Sequence, residues 1–271
     1  MRRRVERRIR KRLRLAGNRI LAGLVADREQ RGQTLEVALV EVVKSEPLWH
    51  GVAGGLLDVC QPGVGVRLLL ARFLGTEDPL EIPDVASGLD ELGDTSSLGP
   101  ICVALNDSNL IRRRWAAYLL GWIHGPRRRP VSSLIAVLLD RSQPAKVRGQ
   151  AAESLNYLGA RRAIPALLLA AQDPEALVRW WAAFALGGHR NRFDQEVVEA
   201  LTKLLDDEVV PEEEQYSIGL EALGVLGTMD PPGTDFRARL AARCKPIREN
   251  PAAWPESDRN WELTWDLWRD A

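Results

Sequence analysis

The sequence is poor in cysteine and has no long apolar run. Of its 271 residues, only Cys60, Cys102 and Cys244 are cysteines, and no two form a CxxC pair. An odd number of widely spaced cysteines argues against a disulfide framework and against a cysteine-based metal site. No stretch reaches the ~18 uninterrupted apolar residues that a membrane-spanning helix needs. We therefore expect a cytoplasmic protein without a membrane span.

Motifs of catalysis are also absent. There is no GxSxG, no HExxH and no glycine-rich phosphate loop followed by lysine. His50, His124 and His189 are isolated from other metal-ligating residues. The glycine-rich stretch GVAGGLLDVCQPGVGV, residues 51–66, predicts a loop or a weak terminal helix. We expect no metal, no cofactor and no catalytic residue, which makes an enzyme the less favoured interpretation.

Net charge is zero, but the charge is unevenly distributed. Residues 1–31 contain twelve Arg or Lys against three acids, so the remainder carries nine net negative charges. Val5, Ile9 and Leu13 are four apart, which predicts a helix with a thin apolar line in a basic surround. Such a segment could bind phosphate backbones, anionic lipid or an acidic protein, remain a solvated tail, or dock on the acidic C-terminal half.

What the sequence does have is an internal repeat. VRGQAAESLNYLG, residues 147–159, is followed by VRWWAAFALGGHR, residues 178–190, with the alanine pair in register. Residues 113–123 and 217–227 are further copies, and VRLLLARFLG, residues 66–75, is a weaker one. Apolar residues three and four apart mark each copy as a helix. The alanines predict close helix packing, because larger residues there would strain a packed interior.

A second kind of helix precedes the four clearer copies and ends in an acidic turn. These turns contain Asp107, Asp140, Asp173 and the pair Asp206–Asp207. Each unit is therefore a helix, an acidic turn and a helix. Since one pair cannot bury its own apolar stripe, neighbouring pairs must stack.

The repeats AIPALLLAAQDPEALVRWWAAFALG and VRGQAAESLNYLG resemble the short HEAT repeat of the phycobilisome-lyase type. The resemblance covers roughly residues 60 to 228. It implies an all-α fold, an α-solenoid (right-handed superhelix) of about five HEAT-like helix pairs, with VRxxAAxxLG as the second helix on the concave face. We expect a basic N-terminal helix or arm over 1–31, the repeat array over 32–230 and a Trp-rich capping segment over 231–271.

The varying positions of the second helices are expected to point outward, and many are aromatic. If they line one face, they form a binding groove; the alternative is that the rings pack against one another. The predicted groove residues are Arg114, Trp115, Tyr118, Trp122, Tyr157, Trp180, Trp181 and Phe184.

Arginines fall into two groups. Arg67, Arg113, Arg148 and Arg179 occupy equivalent positions, which predicts a structural ladder to the inter-helix aspartates. Other arginines follow the second helices and predict a basic edge beside the groove. The edge residues are Arg127, Arg128, Arg129, Arg161, Arg162, Arg190 and Arg192.

Trp261, Trp265 and Trp268 predict an amphipathic C-terminal helix, either a cap on the last repeat or a docking motif. The array as a whole predicts a non-catalytic scaffold that binds a protein or an extended peptide through an aromatic, arginine-rimmed groove. Nucleic-acid binding through the basic arm and the arginine edge is an alternative. The resemblance implies a second alternative, since the family's namesake attaches or detaches bilin chromophores.

Overall fold

The computed structural model describes residues 2–13, 18–46, 49–123, 128–188, 194–253 and residue 259. The chain divides into two compact units, Met1–Gly125 and Pro126–Ala271. The expected boundaries after residues 31 and 230 stay predictions. Trp261, Trp265 and Trp268, and with them the predicted C-terminal helix, lie outside the described residues.

Both units consist of helices and connecting turns, and the described ranges contain no β-strand. The first unit holds α1 (Arg2–Leu13), α2 (Arg19–Gln30), α3 (Leu35–Ser45), α4 (His50–Cys60), α5 (Val64–Gly75), α6 (Glu81–Leu92), α7 (Leu98–Ala104) and α8 (Leu110–Trp122). The second unit holds α9 (Arg128–Leu139), α10 (Ala145–Tyr157), α11 (Ile164–Ala170), α12 (Ala176–Gly187), α13 (Gln195–Leu204), α14 (Ile218–Met229) and α15 (Phe236–Glu249).

The helices pack as consecutive pairs. In the described part of the first unit the pairs are α3–α4, α5–α6 and α7–α8, and in the second unit they are α9–α10, α11–α12 and α13–α14. The second helices pack side by side within each unit, α4 on α6 and α6 on α8, then α10 on α12 and α12 on α14. The predicted all-α solenoid of helix pairs is confirmed.

The weakest repeat copy is not a second helix, and that prediction is wrong. Residues 66–75 lie in α5, which begins a pair instead of ending one. Its partner α6 packs against both α4 and α8 and is therefore the second helix. The sequence of α5 suggests a second helix because it contains a VR dipeptide followed by a small residue. It lacks the alanine pair that marks the clearer second helices.

Side-chain caps fix where several second helices begin. The Asn109 carboxamide oxygen accepts hydrogen bonds from the backbone amides of Ile111 and Arg112 at the start of α8. The Ser217 hydroxyl accepts one from the amide of Leu220 in α14. Such caps satisfy amides that have no partner within the helix.

Small residues do mark the tight contacts, as predicted. Ala151 and Ala182 are fully buried. A side chain added at Gly149 would place its Cβ 2.9 Å from Cδ1 of Trp181 on the neighbouring helix. Gly149 on α10 thus leaves room for the Trp181 ring on α12.

The glycine-rich stretch is helical apart from residues 61–63, so of the two expectations the helix holds and the loop does not. It forms most of α4 and the start of α5. A Cβ at Gly65 would lie 2.2 Å from the carbonyl oxygen of Gly54, and one at Gly88 would lie 2.4 Å from Cα of Gly51. The glycines therefore permit backbone-to-backbone packing of α4 against α5 and α6.

The basic N-terminus is helix α1, as one of the expectations had it, and not a solvated tail. Ile9 and Leu13 are buried, and α1 packs against α2 and α4 of its own unit. Arg10 pairs with Glu6 at 2.9 Å and with Glu29 at 2.8 Å.

Candidate functional site

The predicted arginine ladder is present in the second unit. Arg148 of α10 forms a bidentate ion pair with Asp173 in the next inter-helix turn, and both side chains are buried. Burial alone would raise the pKa of Asp173, but hydrogen bonds from Arg148 and from the amide of Glu175 hold it below its usual value. Arg179 of α12 donates to Asp207 at 2.9 Å. These arginines are structural.

In the first unit the ladder residue is Arg112, one position before the predicted Arg113. Its side chain is 2% exposed. The guanidinium donates to the carbonyl oxygens of Phe73 and Thr76 and to the carboxylates of Asp107 and Glu77. Burial alone would lower the pKa of Arg112, but the two carboxylates raise it above the ordinary arginine value.

The face of α12 that stays open is narrower than predicted. Trp180, expected in the groove, is 5% exposed and therefore presents almost no surface to a partner. Trp181 and Phe184 are half-buried, and Gly188 just after the helix is exposed. Because α12 packs against α10 on one side and α14 on the other, the accessible positions beyond its first turn form a strip at 181, 184 and 188.

Four rings meet around this strip. We call Trp180, Trp181, Phe184 and Tyr216 the α12 aromatic cluster. The Trp180 ring lies 4.9 Å from Trp181, 6.1 Å from Phe184 and 5.6 Å from Tyr216, measured between ring centroids. Trp181 and Phe184 meet edge to face at 5.4 Å. The buried Trp180 thus supports the half-exposed rings from beneath, which holds their orientation.

Several other varying positions of the second helices, which the repeat pattern predicts to point outward, are buried. On α10 these are Gly149 and Gln150, and on α14 they are Ile218, Glu221 and Val225. The expectation treated each second helix as if only one stripe were covered. In the stack its two flanks are covered by the second helices of the neighbouring repeats.

Glu221 is the most unusual of these residues because its side chain is 0% exposed. Neither carboxyl oxygen has a hydrogen-bond partner of normal geometry among the described residues. Burial raises the pKa of Glu221 to about 8. Hydrogen bonding by Tyr216 lowers this pKa in part, and the negative charge of Glu214 raises it further. The carboxyl is therefore protonated at neutral pH.

Helix α10 contributes a polar edge to the same face. Tyr157 is 47% exposed, and burial together with Glu153 raises its pKa. Gln150 donates to Glu153 at 2.5 Å. In the second unit, the surface beside the predicted groove residues therefore includes an acid.

The remaining predicted groove residues lie on α8 in the first unit. Trp115, Tyr118 and Trp122 form a row with centroid separations of 5.1 Å and 5.7 Å. Trp115, Tyr118 and the neighbouring Arg114 are half-buried, and Trp122 is 37% exposed. That the α8 row and the α12 aromatic cluster form one continuous groove stays a prediction.

The basic edge can be followed only in part. Arg161 and Arg162 are exposed in the short helical turn directly before α11. Arg127, Arg190 and Arg192 lie outside the described residues, and so do the side chains of Arg128 and Arg129. The edge as a whole stays a prediction.

Sequence reasoning missed Tyr216 and the position of the acidic segment 206–214. The sequence indicates only that the acidic turn at Asp206–Asp207 precedes the last of the clearer copies. In the structure it connects α13 to α14, and Tyr216 at its end packs on Trp180. An available signal was the aromatic residue directly before the Ser217 helix cap, which places a ring beside a second helix.

Comparison with known families agrees with this geometry. Residues 131–219, which run from α9 into the first turn of α14, match the family model described as HEAT repeats. The helix pairs over residues 131–219 are therefore HEAT repeats. They are similar to the short HEAT repeats of the phycobilisome-lyase type.

A curated relative of the chain is the phycocyanobilin lyase subunit alpha of Nostoc sp. (strain PCC 7120 / SAG 25.82 / UTEX 2576). The two are 33% identical over 140 residues, which cover 46% of this chain and 50% of the relative. The chain thus spans about half the length of the curated relative that it matches.

Two solved structures are more distant. One is the complex of CpcE and CpcF of phycocyanin lyase from Nostoc sp. PCC7120, with 18% identity, a TM-score of 0.49 and coverage of 87% of this chain and 95% of that chain. The other is human deoxyhypusine hydroxylase in complex with glycerol, with 18% identity, a TM-score of 0.35 and coverage of 88% and 85%.

Among the described helices, none is long and apolar enough to cross a membrane.

Proposed function

We propose that this protein is a non-catalytic scaffold that binds another protein or an extended peptide through the open strips of its second helices. The strip on α12 carries the proposal, because Trp181 and Phe184 are partly accessible while the buried Trp180 holds them in place. Rigid, partly exposed aromatic side chains are the usual centre of protein-binding hot spots. The rings of the α8 row are a separate candidate surface in the first unit.

The relative's name supports an association with other proteins. That relative is a subunit of a lyase, and a subunit works together with a partner chain. For the present chain, binding energy would come mainly from removing the rings from water, at about 25 cal/mol per Å² of apolar surface.

The test uses the full-length protein purified from its native host with whatever binds it. We compare the wild type with Phe184→Ala and with the control Leu169→Ala, which removes a side chain 61% exposed on the first helix α11. We expect a bound protein that the wild type and Leu169→Ala recover equally and that Phe184→Ala recovers at least about tenfold less. Equal recovery by all three proteins, with equal thermal unfolding, would reject this surface.

Bilin handling is a second candidate, favoured by the identity of the curated relative. Half-exposed rings could stack on a conjugated tetrapyrrole. Mixing the protein with free bilin and recording absorption spectra provides the test. A red-shifted or sharpened band that Phe184→Ala abolishes supports the idea, and a spectrum equal to that of free pigment rejects it.

Phosphate-backbone binding is favoured by helix α1. Arg7, Arg8, Lys11 and Arg12 are exposed along one side of this helix, while its apolar residues Ile9 and Leu13 are buried. Duplex DNA binding measured over a salt series should then weaken steeply as salt rises. Absence of binding at low salt would reject this candidate.

A further inference from the structure

The acidic segment 206–214 lies beside the α12 aromatic cluster. The segment DDEVVPEEE contains six carboxylates and no basic residue. Two of them fix its path: Asp207 accepts from Arg179 at 2.9 Å, and Glu213 pairs with Lys146 at 2.8 Å. Arg179 and Lys146 lie in the first turns of α12 and α10, so the segment crosses the N-terminal ends of both helices.

Backbone contacts hold the segment against the start of α14. The amide of Ile218 donates to the carbonyl oxygen of Val209 at 3.1 Å, and the amide of Gly219 donates to that of Asp207 at 2.8 Å. Tyr216 then places its ring on Trp180. The acidic segment and the rings therefore belong to one surface with a defined geometry.

The charge on this surface is negative. Asp206, Glu208 and Glu212 are exposed. The charge of Glu214 contributes to the raised pKa of Glu221, and that of Glu153 contributes to the raised pKa of Tyr157. Against these, Lys146 and Arg179 each supply one positive charge beside the segment, paired with Glu213 and Asp207. This is the opposite sign to the arginine rim that the sequence predicts for the groove.

Aromatic faces next to carboxylates suit a particular kind of side chain. A planar guanidinium stacks on aromatic rings and at the same time donates hydrogen bonds to carboxylates. Trp181 and Phe184 offer the accessible rings, and the segment and Glu153 offer the carboxylates. Exposed Val209 and Val210 add apolar contact area within the segment.

We propose that the surface formed by Trp181, Phe184, Tyr216 and the segment 206–214 binds an arginine-containing basic segment of a partner protein. The proposal rests on the proposed scaffold function and specifies the chemistry of its partner. Rings provide the contact area, and the carboxylates select the positive charge and accelerate encounter at low salt.

The experiment measures binding of short fluorescent peptides to the full-length protein by anisotropy. One peptide alternates arginine with serine and glycine; matched peptides carry citrulline or glutamate in place of arginine. We expect the arginine peptide to bind at least about tenfold more tightly than the citrulline peptide, and the difference to shrink as salt rises.

Paired variants locate the site. Glu208→Gln combined with Glu212→Gln should weaken the arginine peptide about three- to tenfold. Glu196→Gln combined with Glu199→Gln removes the same charge from exposed positions of the first helix α13 and should have no effect. Phe184→Leu should weaken binding while keeping an apolar side chain in place.

The outcomes separate this inference from the scaffold function. Equal binding of the arginine and citrulline peptides, both weakened by Phe184→Leu, would overturn the arginine preference and leave the binding surface intact. No binding of the arginine peptide, or equal loss in both paired variants, would also overturn the inference. If the protein alone sediments as a dimer that Arg8→Glu dissociates, the surface is occupied by a second copy, which would overturn it as well.

Discussion

Each unit buries an ionisable side chain in its second-helix layer, with opposite consequences. Arg112 in the first unit is surrounded by carboxylates and carbonyl oxygens, and its pKa is raised. Glu221 in the second unit is equally buried but lacks hydrogen-bond partners of normal geometry among the described residues, and its pKa rises to about 8. A buried group whose partners outweigh the cost of burial keeps its charge, whereas Glu221, for which burial outweighs Tyr216, gives its charge up.

Arg112→Met should have the largest effect on stability. It leaves the buried carbonyl oxygens of Phe73 and Thr76 and the carboxylate of Asp107 without their donor. Removing one member of a buried charged network costs about 3–5 kcal/mol. Urea unfolding followed by circular dichroism measures the loss. The control Arg113→Met changes the half-buried neighbour and should cost under about 1 kcal/mol; equal losses would refute the assignment of Arg112 to the ladder.

Glu221→Gln should increase the free energy of unfolding, in contrast to Arg112→Met, and the increase should depend on pH. The folded-state pKa of about 8 lies above the ordinary glutamate pKa of 4.5, so the stability linked to this carboxyl is complete below about pH 4.5 and is lost as pH rises to about 8. The neutral variant lacks this loss. At about 1.4 kcal/mol per pKa unit, it should exceed the wild type in free energy of unfolding by roughly 4 kcal/mol near pH 8 and nearly match it near pH 4.5. A constant difference between the two proteins across this range would contradict the assigned burial of a neutral acid.

Replacing one glycine in each unit by alanine should lower the free energy of unfolding by smaller amounts, and the two amounts should differ. An added Cβ at Gly88 meets the backbone of Gly51, which cannot yield unless α4 and α6 separate. At Gly149 it meets the half-buried ring of Trp181, which can shift toward solvent. Overpacking costs about 1–3 kcal/mol, so Gly88→Ala should lie near the upper end and Gly149→Ala near the lower end. The same unfolding assay measures both, and the reverse order would contradict the packing described for the two units.

Much of the fold follows from the sequence because small residues and inter-helix acids recur in register. The alanine pairs of α10 and α12, and the pairing of Arg148 and Arg179 with the following turns, were predictable from spacing alone. The role of α5 was not, since its sequence imitates a second helix while its position is set by packing with α6.

The site was less predictable, for a physical reason. A helical repeat pattern identifies the stripe facing its own pair, but the flanks of a second helix are covered by neighbouring repeats. That coverage buries Trp180 and Glu221, and periodicity within one helix does not contain it. The position of the acidic segment could not be predicted because its path depends on ion pairs with distant residues. Asp207 pairs with Arg179, 28 positions earlier, and Glu213 pairs with Lys146, 67 positions earlier.

The central claim is that partners contact the open strip of α12 at Phe184, and site-specific photo-cross-linking tests it directly. A benzophenone amino acid replaces Phe184 in one protein and Leu169 in another, and each is irradiated with its co-purified partner. The account predicts a covalent adduct from position 184 and none from position 169. An adduct from position 169 alone, or equal adducts from both, would contradict it.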